Sequence, residues 1–238
     1  MNLNTVVTTL KDWAETWPTK KTEDMTQVAK LAISQGWYLN EVFLFCLYRD
    51  YKQEIDFSAF MENLILSEWD NQWNAVTAIS PTRKPILNEA KECIEHGYYS
   101  AAIHILFSQS DGIFHDQFSK SLFKKQGELA KDKISTYIND FIAKDSLELL
   151  AAQYKDGSIL RRMSNEVYTE MFSVIAADAM RDIDPETNEN LLIIPNRHGV
   201  LHGIHTDYAS KTNALKCFSM LLFIAWSIHG ENMLNTGI

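Results

Sequence analysis

The chain has 238 residues and a formal net charge of −9 at pH 7, with 46% hydrophobic and 22% charged residues. This is ordinary globular usage, so a disordered or collagen-like chain is excluded and the length suffices for a sizeable core, as one domain or as a domain with a smaller extension. The acidic excess argues against a chain that coats nucleic acid non-specifically, because such binding draws its affinity from many Lys and Arg contacts to phosphate.

The first amphipathic stretch repeats Val6, Leu10, Trp13 and Trp17 at three- and four-residue spacing, which predicts helix. Lys11, Asp12 and Glu15 interrupt it, so no secretion signal is expected there. Helical spacing continues through Val28, Leu31 and Ala32, then Val42, Phe43, Phe45 and Cys46, then Phe57, Phe60, Leu64 and Ile65. Ser80-Pro81-Thr82-Arg83-Lys84-Pro85 is the clearest punctuation in the sequence, because two prolines so close together resist a continuous helix. A boundary is placed there, giving an α-helical N-terminal extension over 1–80 and a helical bundle domain over 85–238. Composition shifts at the same point. Trp13, Trp17, Trp37, Trp69 and Trp73 precede it and only Trp226 follows, whereas all seven histidines follow it. The N-terminal part therefore reads as packing or recognition, and the histidine-bearing part as the place for chemistry.

Beyond Pro85 a helix is expected up to His96, with Gly97 as its C-cap, and a second from about Tyr99 to Phe118, the two forming an antiparallel hairpin. Helical patterns follow at 134–141, 147–154 and 167–179. A turn is expected over 182–188, and the apolar run 191–194 serves as a lead-in to the next segment. The last long helix runs from about Ser210 to Ile228, with Ala214, Leu215, Phe218, Leu221, Leu222 and Ala225 on its buried side and Gly230 ending it. Its apolar run from Phe218 is about half a membrane span and lies between Lys216 and His229, so no membrane crossing is expected. Cys46, Cys93 and Cys217 are odd in number and sparse, which points to free thiols and a cytoplasmic location. The fold class is all-α.

Pro195-Asn196-Arg197-His198-Gly199-Val200-Leu201-His202-Gly203 is the most informative segment. It sets a permanent guanidinium, a second polar group and a titratable imidazole within little more than one helical turn, after a Pro-Asn helix start. Arg197 can hold a phosphate through its planar fork and His202 can move a proton near neutral pH. The second hairpin helix carries His104, Ser108, Asp111 and His115 on one stripe, from which Asp111 is the candidate to orient the motif. Lys120, Lys124, Lys125, Lys131, Lys133, Arg161, Arg162, Lys211 and Lys216 are candidates for a locally basic cleft. A rival reading takes His198, His202 and His205 at i, i+4 and i+7 as a three-nitrogen zinc site, but Gly199 and Gly203 interrupt the helix and neither a HExxH glutamate nor clustered cysteines are present.

An arginine followed by a polar residue and, after four intervening residues, by histidine resembles the Arg-x4-6-His signature of HEPN-superfamily ribonucleases. Asp207-Tyr208, Asn213-Ala214-Leu215-Lys216 and the helix from Ala101 through Asp111 to Asp116 extend the likeness, which covers roughly 85–230. The resemblance implies a HEPN-like bundle and a metal-independent endoribonuclease that acts as a homodimer on RNA. In it Arg197 and His202 are catalytic, Asn196, His198 and Asp111 are supporting, and no metal or other cofactor takes part. It also suggests the toxin or effector of a toxin–antitoxin or defence system, docked by an antitoxin or sensor protein through the N-terminal region. A bundle that has lost catalysis and binds RNA or protein is the alternative. Some HEPN toxins carry a modifiable tyrosine two residues after the motif histidine; here that position is Ile204, so such regulation is not expected.

Overall fold

Helix accounts for 76% of the residues that the computed structural model describes, and no strand occurs among them, so the described fold is all-α. The described residues are 19–52, 54–119, 121–123, 171 and 195–235. The stretch from Val6 to Trp17, the patterns at 134–141, 147–154 and 167–179 apart from Met171, the turn at 182–188 and the run 191–194 lie outside them. Lys120, Lys124, Lys125, Lys131, Lys133, Arg161 and Arg162 do as well.

Helix α1 spans Thr19–Ser34. Short polar side chains then start the next two. Asn40 accepts the Phe43 N–H at 2.9 Å to open α2, Glu41–Asp50, and Asp56 accepts the Ala59 N–H at 2.7 Å to open α3, Phe57–Ser67. Each cap satisfies a donor that the first turn leaves orphaned, worth about 1 kcal/mol. α4, Trp69–Ile79, stops at Ser80, where a 3-10 turn over Pro81–Arg83 leads into α5, Lys84–Glu95. Both prolines sit at first-turn positions, where a missing N–H removes no helical hydrogen bond. The punctuation at 80–85 is thus a tight corner, and Trp73 and Val76 before it share one buried cluster with Leu87 and Ala90 after it. Arg83 braces the corner: its guanidinium crosses Gly112 and donates to both carboxylate oxygens of Asp116 at 2.8 Å and to Gln109 Oε1 at 3.1 Å.

The hairpin forms as its sequence predicts. Gly97 takes φ of 79°, which lets the Tyr98 N–H reach the Cys93 carbonyl at 2.7 Å and its own N–H reach that of Ile94 at 3.1 Å, closing α5 before α6, Tyr99–Phe118. After the short helix α7, Arg197–Leu201, the chain enters α8, Lys211–Asn235. α8 does not end at Gly230 but kinks at His229, with φ of −130° and ψ of 20°, and continues.

α8 packs along α6 and also meets α4 and α3. Every residue from Ala214 to Ile228 is buried, so the expectation of one buried side is corrected: this stretch, apolar but for Lys216, Ser219 and Ser227, is enclosed all round. Phe218 lies between Trp73, stacked with centroids 4.3 Å apart, and Trp69, edge-on at 5.1 Å. Trp37 and Trp73 are buried and Trp69 packs against the same core, so these tryptophans build the interior rather than a recognition surface. Cys46, Cys93 and Cys217 are free thiols. Among the described residues no helix is long and apolar enough to cross a membrane.

Truncating the ring at this junction removes contacts from α4 and α8 together. Phe218→Ala is expected to cost about 3–5 kcal/mol, read as a lowered midpoint in urea or thermal unfolding. A midpoint unchanged from wild type would show that the aromatic junction does not hold the helices together.

Candidate functional site

The motif segment is shaped by its two ends. Asn196, 2% exposed, accepts the Gly199 N–H at 2.8 Å through Oδ1 and so starts α7 at Arg197. Its side-chain oxygen thus serves inside the fold as a helix cap. Seven residues after Asn196, Gly203 adopts φ of 70°, its N–H reaching the Val200 carbonyl at 3.1 Å while that of Ile204 reaches Gly199 at 2.8 Å. α7 is thereby stopped at His202, which is its C-cap.

The stop redirects the third histidine. With the helix ended, His205 leaves the i, i+7 position and its backbone N–H returns to the Gly199 carbonyl at 3.0 Å. Its ring lies on the face that Gly199 leaves bare: a Cβ there would sit 2.7 Å from His205 Nδ1. The stack of three imidazoles expected on a continuous helix is therefore not formed. Among the described residues no group of three His, Cys, Asp or Glu is placed to hold a metal ion.

Arg197 is half-buried, with Cζ 4.2 Å from the centroid of the Phe123 ring, a cation–π contact. Phe123 is buried edge-on against Phe107 of α6. Asp111 holds this platform. Its carboxylate accepts the Leu122 N–H at 2.6 Å and the Ser121 hydroxyl at 2.9 and 3.1 Å. Asp111 thus reaches the motif at one remove, through the segment 121–123, rather than by bonding to Arg197 or His202. Phe123 is the residue that sequence reasoning missed, since no periodicity or spacing ties a phenylalanine so distant in the chain to the arginine.

His202 is exposed at the end of α7 and His198 is half-buried one turn earlier, their ring centroids 4.4 Å apart and their planes at 50°. At about 100° per residue Arg197 and His202 point about 140° apart around the helix. Within one chain the guanidinium therefore lies against Phe123 while the His202 imidazole looks outward.

The segment from Gly203 to Ser210 is tied back to α6. His104 Nδ1 donates to the Ser100 carbonyl at 2.8 Å, and the Tyr208 hydroxyl lies 3.5 Å from the same nitrogen. Asn213 donates to the Tyr208 carbonyl at 2.9 Å. The polar stripe on α6 is divided accordingly: His104 meets Tyr208, Asp111 holds 121–123, and Ser108 and His115 are exposed.

Two candidate cleft cations behave otherwise than expected. Lys211 is exposed with its ammonium 3.7 Å from Glu62 of α3, whose other oxygen accepts the Thr212 hydroxyl. Lys216 is 5% exposed, its ammonium 5.5 Å from the centroid of the Trp37 ring, because it sits on the fully enclosed part of α8. It lines no cleft, and burial lowers its pKa to about 8.

A lysine whose folded pKa lies below its unfolded value near 10.5 binds fewer protons in the folded state between those limits. Its contribution to stability is fully present above the unfolded value and is lost as pH falls through about 8. Burial pushes the Cys46 thiol up, which works in the opposite direction at alkaline pH, so the comparison needed is wild type against Lys216→Met. Relative to that variant, wild type should gain about 3 kcal/mol of unfolding free energy between pH 7 and pH 10.5. Urea titrations at the two pH values measure it, and parallel behaviour of the two proteins would refute it.

Comparison with protein-family models, curated proteins and solved structures finds no match to this chain.

Proposed function

We propose that this chain is a metal-independent endoribonuclease with a HEPN-like helical bundle, working in the cytoplasm as a homodimer. The observation that carries the reading is the construction of 196–203. A helix capped at both ends holds a guanidinium on an aromatic platform and leaves an imidazole exposed at its end, beside the hairpin helix that the sequence resemblance pairs with it.

The chemistry asks for a base, an acid and positive charge at phosphorus. An imidazole takes the proton from a ribose 2′-hydroxyl, and the 2′-oxygen attacks the adjacent phosphorus. The bond to the 5′-oxygen breaks as a second imidazole delivers a proton to it, leaving a 2′,3′-cyclic phosphate and a 5′-hydroxyl. Arg197 supplies a planar pair of N–H donors to the phosphorane oxygens. One chain offers a single His202, turned away from its own Arg197; a two-fold-related copy supplies the second imidazole in the same cleft. His198 stands beside His202 and Asp111 supports the platform under Arg197. In this reading the protein is the toxin or effector of a toxin–antitoxin or defence pair. With Trp37, Trp69 and Trp73 in the core, Trp13 and Trp17 remain the aromatic candidates for a neutralising or sensing partner.

The half-burial of Arg197 against Phe123 favours one alternative, a non-catalytic RNA- or protein-binding module in which the arginine is structural.

RNA cleavage in the presence of EDTA separates the two. Wild type should cut RNA but not an all-deoxy strand, leaving 2′,3′-cyclic phosphate ends. Arg197→Lys, which keeps the charge but not the fork, and His202→Ala should each lose about 10²- to 10³-fold in rate with the fold intact. Inert wild-type protein would leave the binding module standing, and near-wild-type rates in both variants would remove Arg197 and His202 from the mechanism.

The composite site has its own test. Sedimentation should show a dimer, and adding excess His202→Ala chains to wild type should lower the activity per wild-type chain, because a mixed dimer holds only one of the two imidazoles that the reaction uses. A fully active monomer would overturn the shared-site geometry.

A further inference from the structure

His198 and His202 are the one pair among the seven histidines spaced i, i+4, and α7 keeps both on the same side of one turn. Asn196 and Gly203 lock that turn at its two ends, so the side chains start from a backbone that is already organised. Their rings stand with centroids 4.4 Å apart. Two nitrogens bound about 2.0–2.1 Å from one zinc ion at a tetrahedral angle lie about 3.3 Å from each other. Rings at this separation reach that spacing by rotating about χ2. His202 is open to solvent, which leaves room for water to complete a coordination sphere. Neutral imidazoles of this kind suit zinc, nickel and copper and discriminate against magnesium and calcium, which prefer oxygen.

We propose that His198 and His202 form a two-imidazole chelate for a divalent transition-metal ion, and that the bound ion inhibits the site by occupying the His202 lone pair that would move the proton. The binding half stands on the geometry of α7 alone; the inhibitory half rests on the ribonuclease reading. This is a different arrangement from a catalytic three-histidine centre, since His205 is held against Gly199 and off the helix. In the chelate the metal forms bonds to one nitrogen of each ring and no other bond changes. A neutral His202 is silenced without a change in fold.

Zinc chloride titrated into chelator-stripped, untagged full-length protein, in competition with a chromophoric zinc indicator, measures the binding half. Wild type should take up zinc, while His198→Asn and His202→Asn should each weaken it by at least about 10- to 100-fold, the loss that removing a mere supporting partner of a ligand already causes. His205→Asn should bind as wild type does, and magnesium should not compete. Histidine-selected NMR of the wild-type protein gives a readout that needs no variant: zinc should shift the ring nitrogens of His198 and His202 together. Uptake unchanged in both variants, lost equally in His205→Asn, or accompanied by no shift at either ring would overturn the chelate. RNA cleavage then tests inhibition, which zinc should impose on wild type and EDTA should lift. Zinc binding at the pair in a protein that cuts no RNA under any condition would sink the ribonuclease reading and leave the chelate. Cleavage indifferent to zinc would sink the inhibitory half and leave the ribonuclease.

Discussion

The enclosure of α8 is the constraint from which the other placements follow. A helix so largely apolar has to be covered on every side, and among the described residues the cover comes from α6 along its length and from α4 and α3 across it. Phe218 marks the point where this matters most, because its ring fills the space between Trp69 and Trp73 and so couples the N-terminal helices to the C-terminal one. The corner at 80–85 then has a geometric task. It turns the chain so that α5 and α6 can return over the same core, and Arg83, clamped across Gly112 onto Asp116, holds the turn to α6. That close approach is available only where α6 lacks a side chain.

The site is a consequence of how little helix α7 contains. A longer helix would stack His198, His202 and His205 and invite a metal-centred reading. Instead Asn196 and Gly203 define a turn just long enough for one imidazole pair, with His205 folded back over Gly199. The same brevity separates the arginine from the histidine. Arg197 is committed to Phe123 on one side and His202 opens to solvent on another, so chemistry that needs both at one phosphate draws naturally on a second copy of the chain.

The charged groups divide by the same logic of enclosure. Lys211, at the exposed start of α8, pairs with Glu62; Lys216, little more than one turn later, lies on the part of α8 that is wrapped and takes the Trp37 ring as its neighbour. Burial shifts its proton affinity, whereas a solvated lysine on a cleft rim would keep its ordinary value. Counting lysines near a motif therefore overestimates its positive field when the helix that carries them is internal.

The all-α class, the helix break at the two prolines, the α5–α6 hairpin with its Gly97 stop and the start of α7 at Asn196 were all legible in the sequence, because each depends on a few neighbouring residues: a short polar cap, a missing N–H, a glycine able to take positive φ. Where α8 ends was less so, because a glycine inside a helix stops it only when the following residues find better partners elsewhere. The enclosure of α8 on all sides could be suspected from its run of apolar residues, but which face meets which helix required the packed fold. Tertiary structure alone decided that Phe123 lies under Arg197, that Asp111 acts through 121–123 and that Lys216 faces inward. Those contacts join residues far apart in the chain through the shape of the core, and no local spacing encodes a distance that only folding brings to a few ångströms.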